Sequence, residues 1–366
     1  MNAESRNSDM NIKAFEEDIK KCRFCFMCRH LSGVGNVTFR EADGPRIRAS
    51  LCWGAILDET KLDDPDFIAT IYSSDLSAAG RFHCVNHYDE AGIVLAARRD
   101  IVARGTAPED VKKIAARLMA APAFKATGRG EVLYYVDADT AAAKTEAAAF
   151  AKLAKKARMT YQIATGGTPG KGLYVLGYAQ DAQAKAAEFA AALDATGAKT
   201  VVVSSPAIYD CLVNDFAAWG LKLKAKVRHI TEFIAKAKFP FTKKVGELQY
   251  LESDFLKNYC GNLPYPREVL KQLKAVSPKL WATDLVMQPC EFMFGTNNEE
   301  SYTCGEGAVV YGLLRPEIAA KMAAYVKARR DAPKALLAVA SPYTRNVLAA
   351  AKINVKTLTE LAAEAL

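Results

Sequence analysis

The segments KTVVVSSPAIYDCL (199–212) and KALLAVASPYTRNVL (334–348) carry one pattern twice: an apolar run, then Ser-Pro, then a stretch of helical composition. Ser205-Pro206 falls over Ser341-Pro342. A short, uninterrupted apolar run bounded in this way predicts a strand buried on both faces, and a serine followed by proline starts a helix by capping it. The echo continues, with VRHITEFIAKA (227–237) over VKTLTELAAEA (355–365) and Thr165-Gly166 over Cys304-Gly305. Such self-similarity predicts two copies of one α/β unit.

Around the first copy, EVLYYVDA (131–138) and MTYQIA (159–164) read as strands, and 140–158 and 181–196 as helices. Around the second, GELQYLES (246–253) and LWATDLV (280–286) read as strands, and 267–276 and 316–330 as helices. Strands alternating with helices of this length imply parallel βαβ units. FPFTKK (239–244) separates the copies, which are expected to occupy 130–242 and 243–366. Residues 1–125 differ: they read as helical and loop-rich, and hold the clustered cysteines. The expected fold is therefore α+β and multidomain, an α-helical domain followed by two tandem α/β modules with parallel sheets. The 366 residues, 51% hydrophobic, exceed what one core usually organises.

Composition removes several classes. Even the alanine-rich run 140–159 is broken by Lys144, Glu146, Lys152, Lys155 and Lys156, so no membrane span is expected. The net charge of +8 is spread over helix faces without an arginine–aromatic cluster, and nucleic acid is not an expected partner. The first 22 residues lack the apolar core of a signal peptide, which points to a reducing, cytoplasmic compartment.

KCRFCFMCRH (21–30) spaces Cys22, Cys25 and Cys28 at intervals of three, and RFHCVNH (81–87) supplies Cys84. Two-residue spacers let a short loop converge three sulfurs on one small inorganic core, and a fourth thiolate then comes from elsewhere. This pattern predicts one iron–sulfur cluster, with Cys52 in SLCWG (50–54) competing with Cys84 as fourth ligand. Structural zinc, with His30, His83 or His87 contributing nitrogen, is the alternative. Disulfide pairing is a weaker rival, because nine cysteines are an odd number.

With these cysteines, the repeated Ser-Pro junctions and YPREVLKQL (265–273) after Cys260, the chain resembles a family of iron–sulfur subunits. These are the subunits related to glycolate oxidase, anaerobic glycerol-3-phosphate dehydrogenase and heterodisulfide reductase. The resemblance implies a ferredoxin-type helical domain with two four-cysteine motifs, followed by two Cys-Cys-Gly modules that each end in Cys-Pro-x-Cys. Here the motifs are eroded. Cys22, Cys25, Cys28 and Cys84 form one crossed ligand set for a single 4Fe–4S cluster, whereas Ser32, Ser74, Ser77 and Gly80 stand at positions of the other set. Ala164-Thr165-Gly166 replaces the first Cys-Cys-Gly, and Ser205 to Ile208 replaces the first Cys-Pro-x-Cys. In the second module Asp254, Cys260, Cys290 and Cys304 are the candidates for a second metal site, while Ser341 and Thr344 replace the last cysteine pair.

Other motifs are plainer. GGTPGKG (166–172) lacks the glycine and hydroxyl that a phosphate loop requires at Thr165 and Gly172, and reads as a strand-to-helix loop. His229 reads as a structural histidine at a strand-to-helix junction. The expected function is an electron-transfer subunit, not catalytic alone, working with a flavoprotein dehydrogenase or other redox partner. Lys20, Lys21, Arg23 and Arg29 around the cysteine loop would supply a cationic docking rim. The alternatives are a reductase using the second metal site, and an assembly subunit whose cluster only stabilises its fold.

Overall fold

The computed structural model describes residues 10–23, 25, 27–275, 302–330 and 334–366. It is a mixed α/β structure in which helices precede two sheets. The helical part is built on α1 (Pro45–Leu57), α2 (Pro65–Ser73), α3 (Glu90–Ala103) and α4 (Glu109–Met119). Proline at the first turn starts α1 and α2, and Asp64 caps α2 by accepting from the amides of Asp66 and Phe67.

The first sheet contains β1 (Lys125–Gly128), β2 (Val132–Val136), β3 (Tyr161–Thr165), β4 (Thr200–Val203) and β5 (Lys226–His229), in the order β1-β3-β2-β4-β5. All pairs are parallel except β1 with β3. The sequence reading misses β1, whose mostly exposed KATG offers no apolar signal and only edges the sheet. The expected single helix over 140–158 is two, α5 (Ala138–Ala142) and α6 (Glu146–Lys156). Alanine-rich sequence does not oppose continuity, so the break is tertiary. Thr145 donates to Glu360, the buried Glu146 carboxyl accepts from Thr357, and Lys144 turns through φ +27°.

After α7 (Lys171–Val175) and α8 (Ala179–Ala195), Ser205 caps α9 (Pro206–Asp210), and β5 runs into α10 (Ile230–Ala237). The second sheet is fully parallel, with β6 (Leu248–Leu251), β7 (Leu336–Val339) and β8 (Val355–Thr357) in that order. Here too Ser341 caps a helix, α11 (Pro342–Ala350), and β8 runs into α12 (Leu358–Ala365). One part of the repeat read from sequence recurs in the structure, a strand, a serine-capped helix, a strand and a helix: Val203 pairs with His229 at the end of β4 as Val339 pairs with Thr357 at the end of β7. The expected strand at 280–286 lies outside the described residues.

Among the described residues, two of the four apolar clusters cross the expected domain boundaries, while the other two stay within one α/β unit each. Ile12, Tyr72 and Ile93 of the helical part share one cluster with Leu173, Leu176, Tyr311 and Met322. Tyr134, Phe150 and Val202 of the first sheet region share another with Tyr250, Ala338 and Leu361 of the second. Fully buried Arg98 ties the helical part together and to the first α/β unit. It donates to the carbonyls of Val175 (2.7 Å), Ser74 (2.9 Å) and Ile71 (3.1 Å), and burial lowers its pKa to about 10. Among the described residues no helix is long and apolar enough to cross a membrane.

Candidate metal centre

Cys22, Cys25, Cys28 and Cys84 line one small cavity of about 20 Å³, together with Arg46 and Tyr88. The two segments are held against each other by backbone and side-chain ties. The amide of Cys22 bonds the carbonyl of Ile19 at the end of a short helix, and Cys84 follows the turn Gly80–His83 with its amide on Gly80. Asn86 then donates its side-chain amide to the carbonyl of Lys21. Gly80 lies against the cysteine loop, where an added Cβ would meet the Cys28 Cβ at 3.5 Å. Tyr88 closes the far side, buried and donating to the Pro45 carbonyl at 2.6 Å.

The cavity sits at the surface. Cys25 is exposed, Cys22 and Cys84 are partly covered, Cys28 is buried, and Val85 beside Cys84 is 75% exposed. Burial pushes the Cys28 thiol up to about 12, a backbone N–H of Arg46 opposes it by bonding the sulfur, and the charge of Glu90, followed by Cys22 and Cys25, raises it further by repulsion. That N–H belongs to the first turn of α1, where helix amides carry partial positive charge. The described cysteines form no disulfide.

Cys52 is elsewhere. It is fully buried on α1 in the same apolar cluster as Ala49, Ile56 and Ile93, where burial raises its thiol, and it does not line the cavity. His87 uses Nδ1 on the Arg81 carbonyl at 3.2 Å.

Two positions of the second ligand set, Ser32 and Ser74, belong to a polar network with neighbouring Ser73. Ser32 Oγ donates to the Asp43 carbonyl (2.8 Å), Ser73 Oγ to the Asp43 carboxylate (2.7 Å), and Ser74 Oγ to Glu90 (3.2 Å). Glu90 also pairs with buried Arg48 at 2.8 Å. No protein family, curated protein or solved structure matches this chain. The site therefore stands on its own geometry.

The second candidate set does not gather as one group among the described residues. Asp254 and Cys304 lie near Glu306. The Asp254 carboxylate accepts from Thr303 Oγ1 (2.6 Å) and the Gly307 amide (3.1 Å), while Glu306 accepts from Ser253 Oγ (3.0 Å) and the Asp254 amide (2.8 Å). Burial, with the Glu306 charge beside it, raises the Asp254 carboxyl well above the usual range, and burial raises Glu306 to about 7. Cys260 instead bonds Asp210 Oδ1 at 3.5 Å, with Asn214 on its sulfur at 3.8 Å. Cys290 lies outside the described residues. No three His, Cys, Asp or Glu side chains are closed around a single-ion position among the described residues. The ligands of a cluster surround several metal atoms and sulfides, so they stand farther apart than those of one ion.

The expected cationic rim is largely compensated. Lys20 pairs with Glu16 (2.7 Å) and Glu17 (3.0 Å), Lys21 with Asp18 (2.5 Å) and Arg29 with Glu41 (3.3 Å). Alternating charges on one short helix cancel much of the field that steering requires. The other two motifs are structural: buried His229 caps α10, bonding Thr231 Oγ1 at 2.8 Å and the Ser204 carbonyl at 3.1 Å, and 166–172 links β3 to α7.

Proposed function

We propose that this chain is an electron-transfer subunit whose Cys22, Cys25, Cys28 and Cys84 hold one 4Fe–4S cluster. One observation carries the reading: two segments more than fifty residues apart deliver four free thiols to one cavity at the surface. Three further features support it. An amide of the α1 first turn already bonds one sulfur, as amides around such clusters do. The thiols repel one another when ionised, which a positively charged metal core would offset. Exposed Cys25 brings the site to solvent, within reach of a partner's redox group. When bound, the cluster supplies single-electron storage at a potential tuned by burial and by hydrogen bonds to sulfur. The residues of this chain position the thiols, and Tyr88 and α1 cover one side of the cavity.

The partner is proposed to be a flavoprotein dehydrogenase, in keeping with the resemblance to iron–sulfur subunits. Because Lys20, Lys21 and Arg29 are paired with acids, contact is expected to rest on shape and on exposed apolar atoms such as those of Val85 more than on charge. The test is anaerobic reconstitution with iron and sulfide, followed by visible absorbance and paramagnetic resonance of the reduced protein. Cys84→Ser should lose or destabilise the signal, and Cys52→Ser should keep it. A Cys84→Ser protein with full iron and an unchanged spectrum overturns the ligand assignment.

A further inference from the structure

A large cavity lined by residues 118–350, none of them a cysteine, serves no part of the proposed electron transfer. It measures about 640 Å³ and opens at the carboxyl ends of β2 and β3. The chain leaves β2 for β3 on one side, and β4 adds on the other, so the strand order reverses at β2. Open parallel sheets bind ligands in the crevice outside such a reversal, and the volume falls within the range of small-molecule sites.

Its walls are apolar, from Leu118 of α4, Val136, Ile208, Val310, Leu313 and Val347. Hydrogen-bonding groups at the wall are mostly spent within the protein. The Tyr135 hydroxyl donates to Gly166 and Gly167 carbonyls, and the Tyr343 hydroxyl to the Cys304 carbonyl. The Lys171 ammonium is held by Asp210 (2.6 Å) and Asp215 (2.7 Å). What remains is acidic. Asp137 caps α5 with one carboxylate oxygen, which accepts from both the amide and the hydroxyl of Thr140, and beside it the Asp139 carboxylate has no hydrogen bond among the described residues, although its backbone carbonyl accepts from Asn346 at 2.9 Å. Burial, the Asp137 charge and the Glu306 charge raise Asp139 to about 8. A cavity with an apolar body, two adjoining carboxylates and no unpaired cation among its described lining residues is complementary to a cation.

We propose that this cavity binds a small organic cation, an amine with an apolar body, seating its ammonium group on Asp137 and Asp139. Binding would relieve the repulsion between the two carboxylates and bury the ligand's hydrocarbon against Leu118, Ile208 and Val310. The proposal is independent of the cluster.

The probes are 2-phenylethylamine, 2-phenylethanol and 3-phenylpropionate, similar in size and differing in charge, titrated calorimetrically into the full-length protein at pH 8. The amine should bind, and the alcohol and acid should bind at least about tenfold more weakly, the equivalent of one charge-assisted hydrogen bond. Asp139→Asn should weaken the amine by a similar factor without weakening the alcohol, and Val347→Trp should block all three by filling the cavity. Equal binding of amine and alcohol, no binding of the amine, or undiminished amine binding to Asp139→Asn overturns the proposal. If Asp139→Asn fails to fold, the comparison of the three probes on the unaltered protein, with Val347→Trp as the blocked control, still decides it.

Discussion

Cys28 and His229 illustrate how burial sets chemistry one residue at a time. At Cys28 burial opposes ionisation, and the Arg46 amide partly offsets it, so the thiol is poised to gain from a metal that removes its proton. At His229 burial lowers the pKa to about 4, and the ring stays neutral with Nε2 donating to the Ser204 carbonyl. The unfolded chain takes up a proton near pH 6.5 and the folded one does not until about pH 4, so this residue's contribution to stability is full above pH 6.5 and lost as pH falls toward 4. His229→Asn should therefore be less stable than the parent at pH 7, with a gap that narrows by roughly 3 kcal/mol on titrating to pH 4. Denaturant melts at several pH values measure this, and a gap independent of pH would show that the ring does not titrate as described. That His229 is structural could be read from its place in VRHITEF, whereas its 25-residue reach to Ser204 could not.

At the scale of elements, the Ser-Pro junctions behave as their sequence implies. Ser205 accepts from the Ile208 amide at 3.4 Å and Ser341 from the Thr344 amide at 3.3 Å, each at the first turn of a helix following a buried strand. Ser205→Ala and Ser341→Ala should each cost about 1 kcal/mol in chemical denaturation while leaving cluster content unchanged. Loss of the cluster from a folded Ser341→Ala protein would mean that the second α/β unit does more than support the first. Strands such as 201–203 were legible because valine runs bounded by turn residues have few other uses. The edge strand β1 and the break between α5 and α6 were not, because both are set by partners distant in sequence: β1 by pairing with β3, the break by Glu360 and Thr357. The cysteine loop was legible from spacing alone. The compensation of Lys20, Lys21 and Arg29 was partly legible too, since Glu16, Glu17 and Asp18 lie one helical turn away.

At the scale of the whole molecule, two of the four apolar clusters among the described residues are shared between sequence segments, and the other two belong to one α/β unit each. The helical part packs Tyr72 and Ile93 against Leu173, Tyr311 and Met322, and Tyr311 donates to the Ser73 carbonyl at 2.7 Å. A fragment ending at residue 125 would expose that face, so it should show no cooperative thermal transition, whereas the full chain should melt with the helical part and the sheets together. A fragment with a sharp melt and native cluster content would restore the picture of a free-standing helical domain. The cavity lined by four thiols is built from this helical part, which meets the α/β units through the Arg98–Val175 and Tyr311–Ser73 hydrogen bonds. Iron, acid-labile sulfide and zinc per chain in the anaerobically reconstituted protein test the central claim most directly. The account predicts about four irons and four sulfides with no zinc; one zinc per chain without sulfide, or no bound metal at all, would contradict it.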